Sequence, residues 1–124
     1  ITVHGLAHTP YVDALDDWQT RQDDQPLQLH QETDRLYLQL PSQLHVEDPL
    51  WQRQIQLTCR GSHSAVIWNP WIKKSQLLSQ FAPDAWQRML CIETARLLDD
   101  VLTLAPGESH EMAVEIRDNG SFQP

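Results

Sequence analysis

Short runs in which apolar and polar residues alternate dominate this chain, and few runs have the period of a helix. Most of these runs are separated by Pro, Gly, Asn, Asp or Ser, which favour turns. In the last run, Met112, Val114 and Ile116 share one face, as in a strand with one buried side. The pattern predicts an all-β, antiparallel protein whose strands cover residues 1–6, 35–40, 54–59, 65–68, 89–94, 101–104 and 111–116.

Three stretches do not have a strand pattern. Residues 71–81 are dense in Lys, Gln and Leu, and residues 83–88 begin with a proline that a first helical turn tolerates. Each is predicted to be a short helical connection. Residues 13–28 carry five aspartates with little apolar content, so we expect an exposed acidic loop there rather than a metal site.

One carboxylate interrupts an apolar strand pattern. Alternation places Glu93 on the same face as Met89, Cys91 and Ala95, that is, beside a thioether, a thiol and a methyl group. Such neighbours exclude water from a carboxylate, which tends to raise its pKa and suits it to accept a proton near neutral pH. We therefore expect Glu93 to act as a general base.

A second carboxylate follows the same logic. In residues 32–40 the even positions are Asp34, Leu36, Leu38 and Leu40, so Asp34 begins an apolar face at the mouth of a pocket. The alternative is that Asp34 caps a turn or pairs with Arg35 or another nearby cation. The sequence pattern leaves both interpretations open.

Composition narrows the possible partners. With 124 residues, 40% hydrophobic and 21% charged, the chain suits one folded domain. A net charge of −8 and a pI near 5.0 give little attraction for nucleic acid or anionic lipid. No apolar run approaches the roughly 20 residues that span a bilayer, so we expect a soluble, cytoplasmic protein. Cys59 and Cys91 are expected to be reduced thiols, although a single disulfide stays possible at this point.

Four segments in fixed order resemble a known family: ETDRLY at 32–37, VIWNPW at 66–71, MLCIETA at 89–95 and LAPGES at 104–109. The opening VHGLAHTPYVD at 3–13 is similar to the family's GL-x-x-x-x-YID segment. Together they resemble the C-terminal part of the hexose-6-phosphate mutarotases, or glucose-6-phosphate 1-epimerases, of the aldose 1-epimerase superfamily. The resemblance covers roughly residues 3–114.

The resemblance implies an isomerase that interconverts the α and β anomers of a hexose 6-phosphate without a cofactor or a metal. It places the family's glutamate base at Glu93 and its sugar-contacting aspartate at Asp34, the two carboxylates that the pattern had singled out. Trp68 and Trp71 are candidate apolar surfaces for the pyranose ring, with core packing as the alternative. The expected partner is a small hexose phosphate, and oligomeric state is open.

The fold implied by the resemblance is an antiparallel β-supersandwich of the galactose mutarotase-like type. Residues 1–124 are then expected to be a single partial domain, its C-terminal portion, with unpaired strand edges and exposed apolar surface. The family's acid histidine and phosphate-binding arginines lie upstream of the opening segment, and none of the six histidines here matches that acid. We therefore expect the chain alone to be inactive. A non-catalytic carbohydrate-binding module, or a structural fragment that needs its N-terminal half, are the alternatives.

Overall fold

The fold was obtained as a computed structural model, which describes residues 1–121; the last three residues of the expected 1–124 domain lie outside it. It consists of two five-stranded antiparallel sheets, one α-helix and two short 3-10 helices. The strands are β1 Thr2–His4, β2 Pro10–Asp13, β3 Gln19–Gln22, β4 Leu27–Gln28, β5 Thr33–Tyr37, β6 Gln43–Asp48, β7 Arg53–Arg60, β8 Ser64–Asn69, β9 Cys91–Ala95 and β10 Ala113–Ser121. The helix α1 covers Trp71–Leu77, and the 3-10 helices cover Ala85–Arg88 and Leu98–Asp100.

The two sheets share one hydrophobic core. The first sheet has the order β10-β7-β6-β1-β4 and the second the order β3-β2-β5-β8-β9. Val3 and Leu44 from the first sheet pack in one cluster with Tyr37 and Ile67 from the second, and all four are almost fully buried. The predicted all-β antiparallel class is therefore confirmed.

Six of the seven predicted strands correspond to observed strands, and both predicted helical connections are confirmed by α1 and by the 3-10 helix Ala85–Arg88. The strand predicted at 101–104 is wrong. The 3-10 helix just before it is held against β8, because Asp100 accepts a hydrogen bond from the His63 backbone N–H at 3.1 Å. The chain then leaves the second sheet as an exposed, irregular segment.

The exposed loop expected at 13–28 is also wrong in part, because it contains β3 and β4. All four residues of β3 are exposed at the edge of the second sheet, so no apolar alternation marks that strand. The sequence analysis also missed β2 and β6.

The buried face predicted for the last strand lacks a cover. Val114 and Ile116 pair with Cys59 and Leu57, whose side chains are buried, yet Val114 is 46% and Ile116 64% exposed. The second sheet ends at β9, so β10 extends past it. An apolar groove of about 800 Å³ lies along this part of β10, and Ile116 and Ile92 are among the residues that line it. The expected exposed apolar surface is present.

Both cysteines are free thiols, as predicted. Cys59 is buried, and its Sγ lies 3.5 Å from the Thr94 Oγ1 on the facing sheet. Within residues 1–121, every helix falls short of the length and apolar character that crossing a bilayer requires.

Candidate functional site

The two predicted carboxylates lie on the same face of the second sheet. Strand pairing places Asp34 opposite Trp68 and Trp68 opposite Cys91, while Leu36 lies opposite Val66 and Val66 opposite Glu93. Since side chains alternate between the faces of a sheet, these six residues share the outward face, and Tyr37 and Ile67 share the core face. The structure therefore brings Asp34, Trp68 and Glu93 together.

The spacing of the two carboxylates can be worked out from the strand register. One strand, β8, lies between Asp34 on β5 and Glu93 on β9, and the two residues are offset by two positions along the strands. Adjacent strands lie about 4.8 Å apart and residues rise about 3.4 Å, so the two Cα atoms are about 12 Å apart. Trp68 and Val66 on β8 form the floor between them.

Asp34 is half-buried at the start of β5. Burial raises the pKa of the Asp34 carboxyl, the nearby Lys74 ammonium opposes that effect, and the charges of Glu32 and Asp13 add to it. Arg35 points to the other face, where its Nη1 lies 2.8 Å from Asp23 Oδ2. Arg35 is therefore not the partner of Asp34, whereas Lys74 is another nearby cation, as the alternative interpretation allowed.

Glu93 is exposed, which differs from the dehydration that its apolar neighbours predicted. The reason is its place in the fold: β9 is the edge of the second sheet, and its outward face is not covered by residues 1–121. Burial, and then the charge of Glu93, raise the pKa of the neighbouring Cys91 thiol. This thiol therefore stays protonated at neutral pH and is a poor nucleophile.

Asn69, which the sequence analysis did not single out, organises one end of the site. Its buried side chain donates from Nδ2 to the Trp86 carbonyl at 2.9 Å and to the Met89 carbonyl at 2.8 Å. Its Oδ1 accepts the Trp71 backbone N–H at 2.9 Å, at a residue with a φ of +55°. Asn69 thus joins the end of β8 to the start of α1 and to the segment leading into β9. The Asn-Pro pair signals a turn, but nothing in the sequence signals the buried amide.

Ser64 has a similar role at the opposite end of β8. Its buried hydroxyl accepts the Leu97 backbone N–H at 2.9 Å, and lies 2.8 Å from the Ala95 carbonyl and 2.9 Å from Asp100 Oδ2. Although burial pushes the pKa of Asp100 upward, hydrogen bonds from Ser64 and the His63 N–H, with the charge of Arg96, hold it below its usual range. Polar side chains of β8 therefore fix both ends of β9, the strand that carries Glu93.

The two candidate tryptophans differ in their surroundings. Trp68 lies on the outward face beside Asp34, and its ring meets Phe81 edge to face at 6.5 Å. Trp71 packs against Trp86 with ring centroids 4.4 Å apart. Both tryptophans therefore make the aromatic contacts that the packing alternative predicted, and Trp68 also lies beside Asp34.

The outward positions of β5, β8 and β9 include no histidine. His4 lies 2.8 Å from Glu47 on the first sheet, and His110 Nε2 lies 2.5 Å from the Gly61 carbonyl in a turn. Within residues 1–121, these strands therefore place no histidine beside Asp34 and Glu93.

Comparison with known proteins identifies the family. The chain matches the family described as aldose 1-epimerase over residues 1–117. It belongs to the aldose 1-epimerase family. A protein of Cenchrus ciliaris that is provisionally named glucose-6-phosphate 1-epimerase is 34% identical over 110 residues, which cover 87% of this chain and 33% of that protein. A Haemophilus influenzae protein with the same provisional name is 33% identical over 72 residues, which cover 58% of this chain and 26% of that protein.

Two solved structures have a similar fold. The crystal structure of HI1317 superimposes with a TM-score of 0.74 and 29% identity, over 94% of this chain and 40% of that chain. A provisionally named mutarotase, YeaD of Salmonella typhimurium, gives a TM-score of 0.69 at 24% identity, over 75% of this chain and 32% of its own. The predicted galactose mutarotase-like sandwich is thus confirmed. The chain spans about a quarter to a third of the length of the curated relatives it matches.

Proposed function

We propose that this chain takes part in interconverting the α and β anomers of a hexose 6-phosphate, with Glu93 as the general base and Asp34 as a sugar-binding residue. The observation that supports this most directly is the shared outward face of β5, β8 and β9, where Asp34 and Glu93 flank Trp68. The hexose phosphate is suggested by the provisional names of the two relatives.

The proposed reaction needs two opposed proton transfers and no cofactor. Glu93 accepts the proton of the C1 hydroxyl while an acid protonates the ring oxygen, and the bond between C1 and the ring oxygen breaks. The resulting open-chain aldehyde rotates about the bond between C1 and C2. In ring closure on the other face, the C5 hydroxyl attacks C1, its proton returns to the acid, and Glu93 gives its proton to the new C1 hydroxyl.

The binding residues have separate tasks in this proposal. The Asp34 carboxylate accepts charge-assisted hydrogen bonds from sugar hydroxyls. Trp68 offers an apolar surface to the C–H groups of the ring, and Trp71 stays a predicted sugar contact. A ring bound over Trp68 would exclude water from Glu93, and a carboxylate with less hydration accepts a proton more readily.

The proposal is tested by anomer exchange of glucose 6-phosphate followed by NMR, with the intact protein that contains this chain. Glu93→Gln should preserve the fold and sugar binding but lower turnover by about 10²-fold or more, as expected on loss of a general base. Asp34→Asn should chiefly weaken sugar binding. Glu115→Gln, which alters an exposed strand glutamate on the first sheet, is the matched control and should leave turnover unchanged. An unimpaired Glu93→Gln protein would rule out the assigned base.

The same assay tests the expectation that residues 1–124 are inactive by themselves. Exchange above the uncatalysed rate only in the longer protein would place the acid outside this chain. Exchange by the chain alone would mean that one of its own histidines serves as the acid.

Sugar binding without catalysis is the second candidate function. It is favoured by the hydrated state of Glu93 and by the absence of histidine from the outward positions of β5, β8 and β9. Measurable affinity for glucose 6-phosphate in the intact protein, together with exchange at the uncatalysed rate, would support this alternative.

A further inference from the structure

The helix α1 brings the ammonium group of Lys74 close to the site. Asn69 fixes the start of α1, and the buried Ser75 hydroxyl donates to the Trp71 carbonyl within the helix. Lys73 is exposed, whereas Lys74 is half-buried. Consecutive side chains of a helix point in different directions, so Lys73 faces solvent while Lys74 is directed toward the protein.

Lys74 makes an ion pair with Glu32, the residue just before β5. Its Nζ lies 3.5 Å from Glu32 Oε1, two positions before Asp34. This contact links α1 to the start of β5, across the end of the outward face. The ammonium therefore lies beside the strand segment that carries the proposed sugar-binding carboxylate.

Asp34 is the group of the site that this cation affects. It is half-buried, and burial raises the pKa of its carboxyl. Glu32 and Asp13 bring further negative charge from the start of β5 and from β2, and both favour protonation of Asp34. Lys74 acts in the opposite direction. A protonated Asp34 would lose the charge-assisted hydrogen bonds that bind sugar hydroxyls.

We propose that Lys74 is a positioning residue for the sugar site: its ion pair with Glu32 holds α1 against the start of β5 and places the ammonium group beside the segment that carries Asp34. This inference rests on the proposed function for the role of Asp34 in binding. The matched control is Lys73, which has the same charge on the same helix but an exposed side chain.

The first experiment needs no activity. The carboxyl carbon of Asp34 is followed by NMR through a pH titration in wild type, Lys74→Met, Lys74→Arg and Lys73→Met. The Asp34 titration should move to higher pH in Lys74→Met, return toward wild type in Lys74→Arg, and stay at the wild-type position in Lys73→Met. Titration of Asp34 at the same pH in Lys74→Met and Lys73→Met, with both variants folded, would overturn the proposal.

The second experiment measures glucose 6-phosphate affinity of the intact protein against pH. Lys74→Met should weaken binding by about threefold at mildly acidic pH, as for loss of a partly exposed charge pair, and less at pH 8. Lys74→Arg should restore affinity. A loss that is equal at every pH would indicate a merely structural role and would overturn the proposal. If wild type shows no anomer exchange, the proposed catalysis fails, while the Asp34 titration still decides the role of Lys74.

Discussion

Replacement of Asn69 by alanine should remove the junction between β8, α1 and the segment leading into β9. The substitution deletes three hydrogen bonds of 2.8 to 2.9 Å and leaves two carbonyl groups and one N–H without these partners. Each net hydrogen bond is worth about 1 kcal/mol, so the expected loss is about 3 kcal/mol. A domain of this size has roughly 5–15 kcal/mol of stability, so the loss is a large share of the total.

Urea unfolding followed by tryptophan fluorescence measures this loss, because the Trp71 and Trp86 rings lie in the same junction. Asn119→Ala is the control: Asn119 also donates one side-chain hydrogen bond, to Gln56 at 3.1 Å, but it is exposed. Its cost should stay within about 0.5 kcal/mol. If Asn69→Ala costs no more than Asn119→Ala, the reasoning about the junction is refuted.

Three further predictions concern other parts of the fold. Gly61 and Gly107 both have positive φ, but a Cβ at Gly61 would lie 2.0 Å from the Glu111 carbonyl oxygen and one at Gly107 would meet open space. Alanine should therefore cost about 1 kcal/mol at Gly107 and about 1–3 kcal/mol more at Gly61, and equal urea midpoints would contradict the clash. Because hydrogen bonds and Arg96 lower the pKa of Asp100, its carboxylate stabilises the fold above its unfolded pKa of about 3.9 and loses that effect as pH falls. Asp100→Asn should thus destabilise the protein at pH 7 but hardly at about pH 2, and a pH-independent cost would count against this account. Burial raises the pKa of Tyr11 to about 12. Unfolding free energy should therefore fall between about pH 10 and 12, and less steeply in Tyr11→Phe, as a denaturation series against pH will test.

The strands that the sequence predicted are those with a buried side. β7 and β8 alternate because one of their faces lies in the core, so the pattern located them closely. β3 has no buried residue and β4 has only two residues, so neither leaves a periodic signal. The segment 101–104 is apolar but is not a strand. Hydrogen bonds from His63 and Ser64 to Asp100 fix the chain just before it, and both donors are distant in sequence.

The site could be predicted in part for the same reason. Alternation correctly grouped Glu93 with Cys91, but it could not say that this face is outward and hydrated, which depends on β9 being a sheet edge. The alternating leucines after Asp34 suggested that its face of β5 lies in the core. The opposite face does so instead, since Tyr37 on that face is 1% exposed. Only the pairing of β5 and β9 with β8 shows that the two carboxylates share a face.

The way β9 is held has a consequence for how the site can work. An edge strand has only one neighbour, and here Asn69 and Ser64 at the two ends of that neighbour fix the chain on both sides of Glu93. The backbone of β9, which carries the proposed base, is therefore held in place although nothing within residues 1–121 covers its outward face. The fold thus sets the position of Glu93, whereas the basicity of its carboxylate depends on exclusion of water by a bound sugar or a covering segment. It follows that changes at Asn69 should alter where Glu93 lies, whereas changes at Trp68 should alter how well water is excluded from it.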